Sequence, residues 1–268
     1  MNMRKKFRDT FIIMICGMLL SFFMLVSCTT INIKQEPKTD IASAEKQKNT
    51  NEKNAESESD KKTSLDSLSE KQKKQFDEFQ KRVIRGAEAL INKAPKEKVT
   101  VRDKEFTLDC VGTVSAAYYR AGVDLWQDFH KYSGNGVTRL YRSLEDRNAL
   151  HKDIYPRPGD IVFWDNTWDR NDDGKFGNDP FTHVGLVMKL EDDGTIHFLH
   201  EHFTRGVIVQ VMNVKKPDVF RDKNGKLLNV PLYMASYYGN PDNPPQYLAG
   251  DLWKSFGGVL RIYDSYVK

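Results

Sequence analysis

TLDCVGTVSAAYYRAG, residues 107–122, is the stretch on which the reading of the fold turns. Val111, Val114, Ala117, Tyr118 and Ala121 recur with helical spacing. Gly122 stands where a left-handed helix stop falls, and Thr107 or Asp109 can cap the start. Cys110 then lies in the first turn, among backbone N–H groups that have no helical acceptor. Such a position favours the thiolate, the reactive form of cysteine. Asp109 opposes it, because a carboxylate beside a thiolate raises its pKa, unless that charge is engaged in capping. A lone cysteine is also often just a small buried core group, so the flanking sequence has to decide between the two.

Downstream of the helix an irregular region leads to a turn at Ser133-Gly134-Asn135-Gly136. Val137, Leu140, Tyr141 and Leu144 then have the spacing of a short amphipathic helix. A β-rich part follows. Pro158-Gly159 is a turn, Asp160-Ile161-Val162-Phe163-Trp164 a short buried strand, and residues 183–189 a second strand. Asp192-Asp193-Gly194 turns the chain, residues 195–200 return as a third strand, and residues 206–212 make a fourth. If Leu190 pairs with Thr195, His183 falls opposite His202 and diagonal to His200. These three histidines then share one face, and His197 points to the other. A slip of one residue would bring His197 to His183 instead.

With these pieces in place, the chain resembles the NlpC-type cell-wall cysteine peptidases over residues 106–209. The resemblance is carried by Asp109-Cys110-Val111-Gly112 opening a helix, by Arg157-Pro158-Gly159-Asp160-Ile161-Val162-Phe163-Trp164, and by His183-Val184-Gly185-Leu186-Val187. It implies an α+β, papain-like domain with the nucleophile's helix packed on an antiparallel sheet. It also implies roles: Cys110 as nucleophile, His183 as its base, and His200, in Phe198-Leu199-His200, as the residue that orients the base. Two departures stand out. Val111 replaces the family's usual serine, and residues 99–107 lack the tyrosine and glycine pair that usually precede the cysteine, where the tyrosine helps form the oxyanion site. The segments 123–155 and 215–245 have no counterpart in the family pattern and are expected to shape the cleft.

Upstream, Phe76, Phe79, Val83, Ala87, Leu90 and Ile91 form a helical stripe that Pro95 ends, with Ser67 and Glu70 spaced as a capping box. Before it, residues 29–69 hold few aliphatics and many Lys, Glu, Asn and Ser, too little apolar surface to fold. They read as a solvated tether reaching roughly 35 Å. Arg4, Lys5, Lys6 and Arg8 precede an apolar run that ends at Leu25-Val26-Ser27-Cys28. The run is shorter than the about 20 residues a membrane span needs. It resembles the signal and lipobox of bacterial lipoproteins, residues 1–28, in which Cys28 would carry the lipid. The expected domains are therefore a signal (1–28), a tether (29–69) and a peptidase body (70–268), lipid-anchored in the cell envelope and facing the periplasm or the exterior. Of the three cysteines, Cys16 would leave with the signal and Cys28 would be acylated, so Cys110 would remain as a free thiol.

One further motif lies before the His183 strand. Asp169, Asn171 and Asp173 alternate, Gly174 is sixth, Lys175 seventh, and Asp179 eleventh, which is the pattern of an EF-hand-type calcium loop. The pattern departs at position twelve, where Pro180 replaces the usual Glu. The expectation is a structural Ca²⁺ here, against a plain Asp/Asn/Gly-rich loop, and no cofactor for the chemistry itself. A formal net charge of +4 with scattered Lys and Arg, and no basic stripe among aromatics, argues against nucleic acid as a partner. The expected function is a thiol hydrolase that cleaves amide bonds in peptidoglycan stem peptides, with peptidoglycan and the membrane as its partners. The alternatives are a thiol amidase or acyltransferase of the same architecture, or a wall-binding lipoprotein without turnover.

Overall fold

The computed structural model describes residues 65–175, 177–233 and 247–267. The signal, Cys28 and nearly all of the tether lie outside the described residues. The body begins with a 3-10 turn, Leu65–Ser67, whose Leu65 and its neighbour Leu68 pack against the core. Helix α1, Glu70–Glu88, is capped by Ser69 and not by Ser67. The Ser69 side chain accepts from the Gln72 amide, and the Gln72 side chain accepts from the Ser69 amide. Along this helix Phe76, Phe79 and Val83 are buried, as the stripe predicts.

A hairpin of β1, Lys98–Val101, and β2, Lys104–Thr107, leads into α2, Cys110–Ala121. Helix α2 starts at Asp109 as N-cap and ends at Gly122 in the left-handed region, as the spacing predicts. Helix α3, Gly136–Asp146, is capped by the Asn135 side chain. The remaining strands are β3 (Leu150–His151), β4 (Ile161–Trp164), β5 (His183–Leu190), β6 (Ile196–His202), β7 (Gly206–Met212) and β8 (Trp253–Gly257), followed by α4, Val259–Tyr266. They form a six-stranded antiparallel sheet in the order β3-β8-β4-β5-β6-β7.

Alternation along these strands divides the core in two. Ile161, Phe163, Val184, Leu186 and Leu199 face α1, α2 and α4, where they meet Phe79, Val114, Ala117, Tyr118 and Ile262. Val162, Trp164, Val187, Phe198 and Phe256 face the other way and are covered by Val230, Ala249 and Leu252 from the long connection between β7 and β8. The sheet is therefore buried on both faces at its centre, with helices on one side and irregular chain on the other. Helix α2 lies against β5 and β6, which brings its first turn to the end of the sheet where β5 begins. Among the described residues no helix is long and apolar enough to cross a membrane.

Asp160 ties the C-terminal elements to this frame. It is 1% exposed and accepts from the amides of Val259 (2.7 Å) and Arg157 (2.8 Å), while the His151 ring lies 3.2 Å from its second oxygen. Removing the carboxylate would leave two N–H groups without their acceptor. Asp160→Ala is expected to lower the unfolding free energy by about 3 kcal/mol in a urea titration. A loss below about 0.5 kcal/mol, the size of an ordinary surface substitution, would show that α4 docks without it.

Candidate active site

Three backbone features place Cys110. Asp109 Oδ1 accepts the Gly112 amide at 2.7 Å, and its carbonyl accepts the Thr113 amide at 2.9 Å, so the cap takes two of the helix-start donors. A Cβ on residue 112 would lie 1.9 Å from the Thr107 carbonyl oxygen, so only glycine lets β2 fold back against the first turn. The Val184 and Val111 amides act on the sulfur and favour its anion.

His183 is the first residue of β5, paired with Trp164 of β4. The Trp164 indole is fixed by its N–H to the Ala249 carbonyl (2.8 Å), and its ring centroid lies 5.6 Å from that of His183. A Cβ on residue 185 would fall 3.1 Å from this ring and 2.8 Å from the Leu199 carbonyl oxygen, which accounts for the glycine in His183-Val184-Gly185.

His183 Nε2 lies 2.8 Å from His200 Nδ1, and His200 Nε2 lies 2.7 Å from Gln210 Oε1 on β7. Cys110, His183 and His200 thus line one cleft of about 400 Å³. His197 points elsewhere, to Glu191 Oε1 at 2.7 Å. His202 also lines the cleft. Its Nδ1 is engaged by the Thr204 amide, and its ring is stacked on Phe203.

The hairpin register differs from the expected one at the turn and agrees with it at the site. Leu190 pairs with Ile196, one residue further on than expected. A bulge at Met188 then takes up the extra residue, so that Val187 pairs with Phe198 and Leu186 with Leu199. Continuing that register sets His183 opposite His202 and diagonal to His200.

The electrostatics differ from the helix-start expectation. The Cys110 thiol is pushed up to about 12, by burial first and then by the charges of Asp109 and Glu201, against the stabilising amides of Val184 and Val111. His183 is held down to about 4, chiefly by burial and then by His202. His200 is also held well below the ordinary histidine value, by burial and then by His183, with the Gln210 hydrogen bond opposing. The resting site therefore holds a neutral thiol and two neutral imidazoles near pH 7, not a preformed thiolate. Burial, with Asp109 second, raises the Glu201 carboxyl, and its buried Oε1 has no hydrogen-bond partner among the described residues.

The loop that precedes His183 is braced by the protein itself. The Asn166 amide donates to the Asp179 carbonyl and the Asp179 amide to Asn166 Oδ1, both at 2.8 Å. The Phe181 amide donates to Asp165 Oδ1 at 2.7 Å, and Thr182 N–H to the Trp164 carbonyl at 3.1 Å. The oxygens that the spacing assigns to calcium accept amides of the loop. Asp169 takes those of Asp173 and Gly174, Asp173 takes that of Lys175, Asn171 takes that of Asp173, and Asp179 takes those of Arg170 and Asn171. Among the described residues no group of three or more His, Cys, Asp or Glu side chains is placed to hold a metal ion.

Several cleft residues were not singled out in the sequence. Lys96, Glu201, Trp168 and Phe203 line it, and the two segments without a family counterpart contribute Asn135 and Val137 on one side and Pro231 and Leu232 on the other. Asn135 also reaches across to the Phe181 carbonyl (3.1 Å), joining the cap of α3 to the approach to His183. Gln210 carried a legible signal: it shares a strand face with Met212 and lies opposite Phe198, a polar residue in an otherwise apolar row.

No curated protein compared with the chain matches it. A family model does match part of it, and the match implies a cysteine-based hydrolase of the amidase or peptidase kind, related to the NlpC-type and papain-like domains, with peptidoglycan as its substrate class. The helix packed on an antiparallel sheet agrees with that fold. The segment matched is residues 101–202, which hold Cys110, His183, His200 and His202, and the family is described as the CHAP domain.

Proposed function

We propose that the protein hydrolyses amide bonds in the peptide part of peptidoglycan, with Cys110 as nucleophile, His183 as base and then acid, and His200 as the group that orients His183. The observation that carries this reading is the His183–His200 hydrogen bond in a cleft that Cys110 also lines. Because thiol and imidazole are both neutral at rest, the proton passes from Sγ to His183 as the sulfur attacks the carbonyl carbon. The Cys110 amide, first in its helix and so without a helical acceptor, is the candidate donor to the oxyanion. The imidazolium then gives its proton to the departing amine. Water, deprotonated by the same histidine, attacks the thioester carbonyl and releases the acid and the thiol. The proposal includes a lipid on Cys28 that holds the body at the cell envelope.

In digests of purified peptidoglycan followed by mass analysis, Cys110→Ala and His183→Ala are each expected to lose at least about 10³-fold in rate, and His200→Ala less. The double variant should be no worse than Cys110→Ala, since a thiol without its base and a base without its thiol are equally idle. Melting temperature should be nearly unchanged in Cys110→Ala. Cleavage by Cys110→Ala at the wild-type rate would end the proposal. A wild type that binds the wall as tightly as Cys110→Ala and cleaves nothing would mark a binding module.

The acid limb of kcat/KM reports the base in the free enzyme. His183 must be neutral to accept the proton, so activity should persist below the ordinary histidine range and fall only as pH drops through about 4. Between 6.5 and about 4 the unfolded chain binds a proton that the folded chain does not, so stability also declines on acidification across that window. Near-UV circular dichroism, recorded in parallel, separates the two. Iodoacetamide should label Cys110 slowly at pH 7 and faster as pH rises toward the thiol's pKa. Fast labelling at pH 7 with an acid limb near 6.5 would indicate a preformed thiolate instead.

A further inference from the structure

The histidine pair is asymmetric, and the asymmetry begins at its far end. A carbonyl-type oxygen such as Gln210 Oε1 carries no hydrogen, and it faces His200 Nε2 at 2.7 Å. The proton must therefore be on His200 Nε2. A neutral imidazole has one N–H, so His200 Nδ1 presents a lone pair. His183 Nε2 lies 2.8 Å from that lone pair and must carry its own hydrogen. His183 Nδ1 is then bare, and it is the nitrogen left to receive a proton from the cleft. If the Gln210 amide faced inward with its nitrogen, every step would invert, and His183 would present an N–H where a base is needed.

We infer that Gln210 is a positioning residue that fixes the tautomers of both histidines, holding His183 in the one form able to accept the Cys110 proton. The proton-accepting role rests on the hydrolase reading above; the tautomer order does not. A neutral amide also suits this end of the relay better than a carboxylate. Gln210 accepts the hydrogen bond without adding a charge that would draw a proton onto the pair. Among the described residues, the other titratable or charged groups that line the cleft with the two rings are Lys96, Asp109, Cys110, Glu201 and His202, and the charge of Arg205 also acts on His200.

The test uses the full chain labelled with ¹⁵N, with long-range ¹H–¹⁵N spectra of the histidine rings recorded near pH 7. Wild type should show both His183 and His200 as Nε2–H tautomers. Gln210→Leu fits the apolar row beside Phe198 and Met212 but removes the acceptor. It should give mixed tautomers at both rings and lose about 10²-fold in kcat with little change in KM. That is less than the loss expected for a residue that touches the base directly. Gln210→Glu keeps an acceptor oxygen. It should restore the tautomers and most of the activity, and should move the acid limb of kcat/KM upward, because a carboxylate favours the imidazolium. If Gln210 were only filling space, Gln210→Leu would change neither spectrum nor kcat, and that result overturns the inference. A wild type with Nδ1–H on His183 overturns it as well. A wild type that cleaves no peptidoglycan yet shows both Nε2–H forms refutes the hydrolase reading and leaves the tautomer assignment standing.

Discussion

One extra residue in β5 decides which histidines can meet. From the turn, where Leu190 pairs with Ile196, an unbroken ladder would carry His183 to a position opposite Phe203. Period-two alternation would then set Glu201 and Phe203 on the face of His183, and turn His200 and His202 to the other side. The bulge at Met188 removes this outcome by advancing β5 one residue against β6. Below the bulge Leu186 meets Leu199, so the apolar rows on both faces of the sheet come into line along with the histidines. Core packing and the His183–His200 bond thus depend on the same irregularity. A slip that broke the histidine pair would also drive Leu199 out of the helix-facing core, and that shared penalty is what holds the register.

The same burial that fixes the geometry sets the resting charge state. A helix start favours an anion by up to about 2 kcal/mol in its best partly buried cases. Raising the Cys110 thiol from its ordinary 9.0 to about 12 corresponds to something on the order of 4 kcal/mol against the thiolate. Desolvation and the charges of Asp109 and Glu201 therefore win over the helix. Asp109 is engaged as the cap through one oxygen, yet its charge still acts on a sulfur one residue away. The consequence is a protected thiol; in the proposed reaction, deprotonation waits for a substrate carbonyl, when charge can move from sulfur to oxygen in one step. In an oxidising compartment a thiol kept in this form reacts slowly with oxidants, which attack the thiolate.

What the sequence discloses here follows from how local each feature is. Helix α2, its cap at Asp109 and its stop at Gly122 are set by residues within one short stretch, and they read directly. The four strands from β4 to β7 announce themselves by apolar runs between turns. Strand β8 and helix α4 do not, because Trp253–Gly257 is a mixed pentapeptide whose strand character comes from lying between β3 and β4. The hairpin of β1 and β2 is similarly obscure, since Lys98, Lys104 and Glu105 make its pattern too polar to stand out. The capping box lies two residues after the one the spacing suggests, because Ser67 and Ser69 offer the same chemistry and only packing of the downstream stripe chooses between them. Cys110, His183 and His200 were legible through resemblance and alternation together. The bulge was not, as nothing in Val187-Met188-Lys189 marks an unpaired residue.

The candidate site residues and their supports occupy different parts of the chain. The segment that matches the CHAP domain ends at His202, itself in the cleft. Yet the indole beside His183 is pinned by the Ala249 carbonyl, the far nitrogen of His200 by Gln210, and one wall of the cleft is Pro231 and Leu232, all beyond that point. Helix α1, which lies before the matched segment, buries the outer side of α2 through Phe79 and Val83 and so fixes the axis along which Cys110 is presented. A nucleophile and a base can be specified by a few local residues, because each needs only the right atom at the start of a helix or strand. Holding two imidazoles and a thiol in mutual register needs long-range partners on every side, since each rotatable ring must be stopped by something other than its own strand. That is why the candidate site residues fall within about a hundred residues, while their geometry draws on nearly the whole described chain.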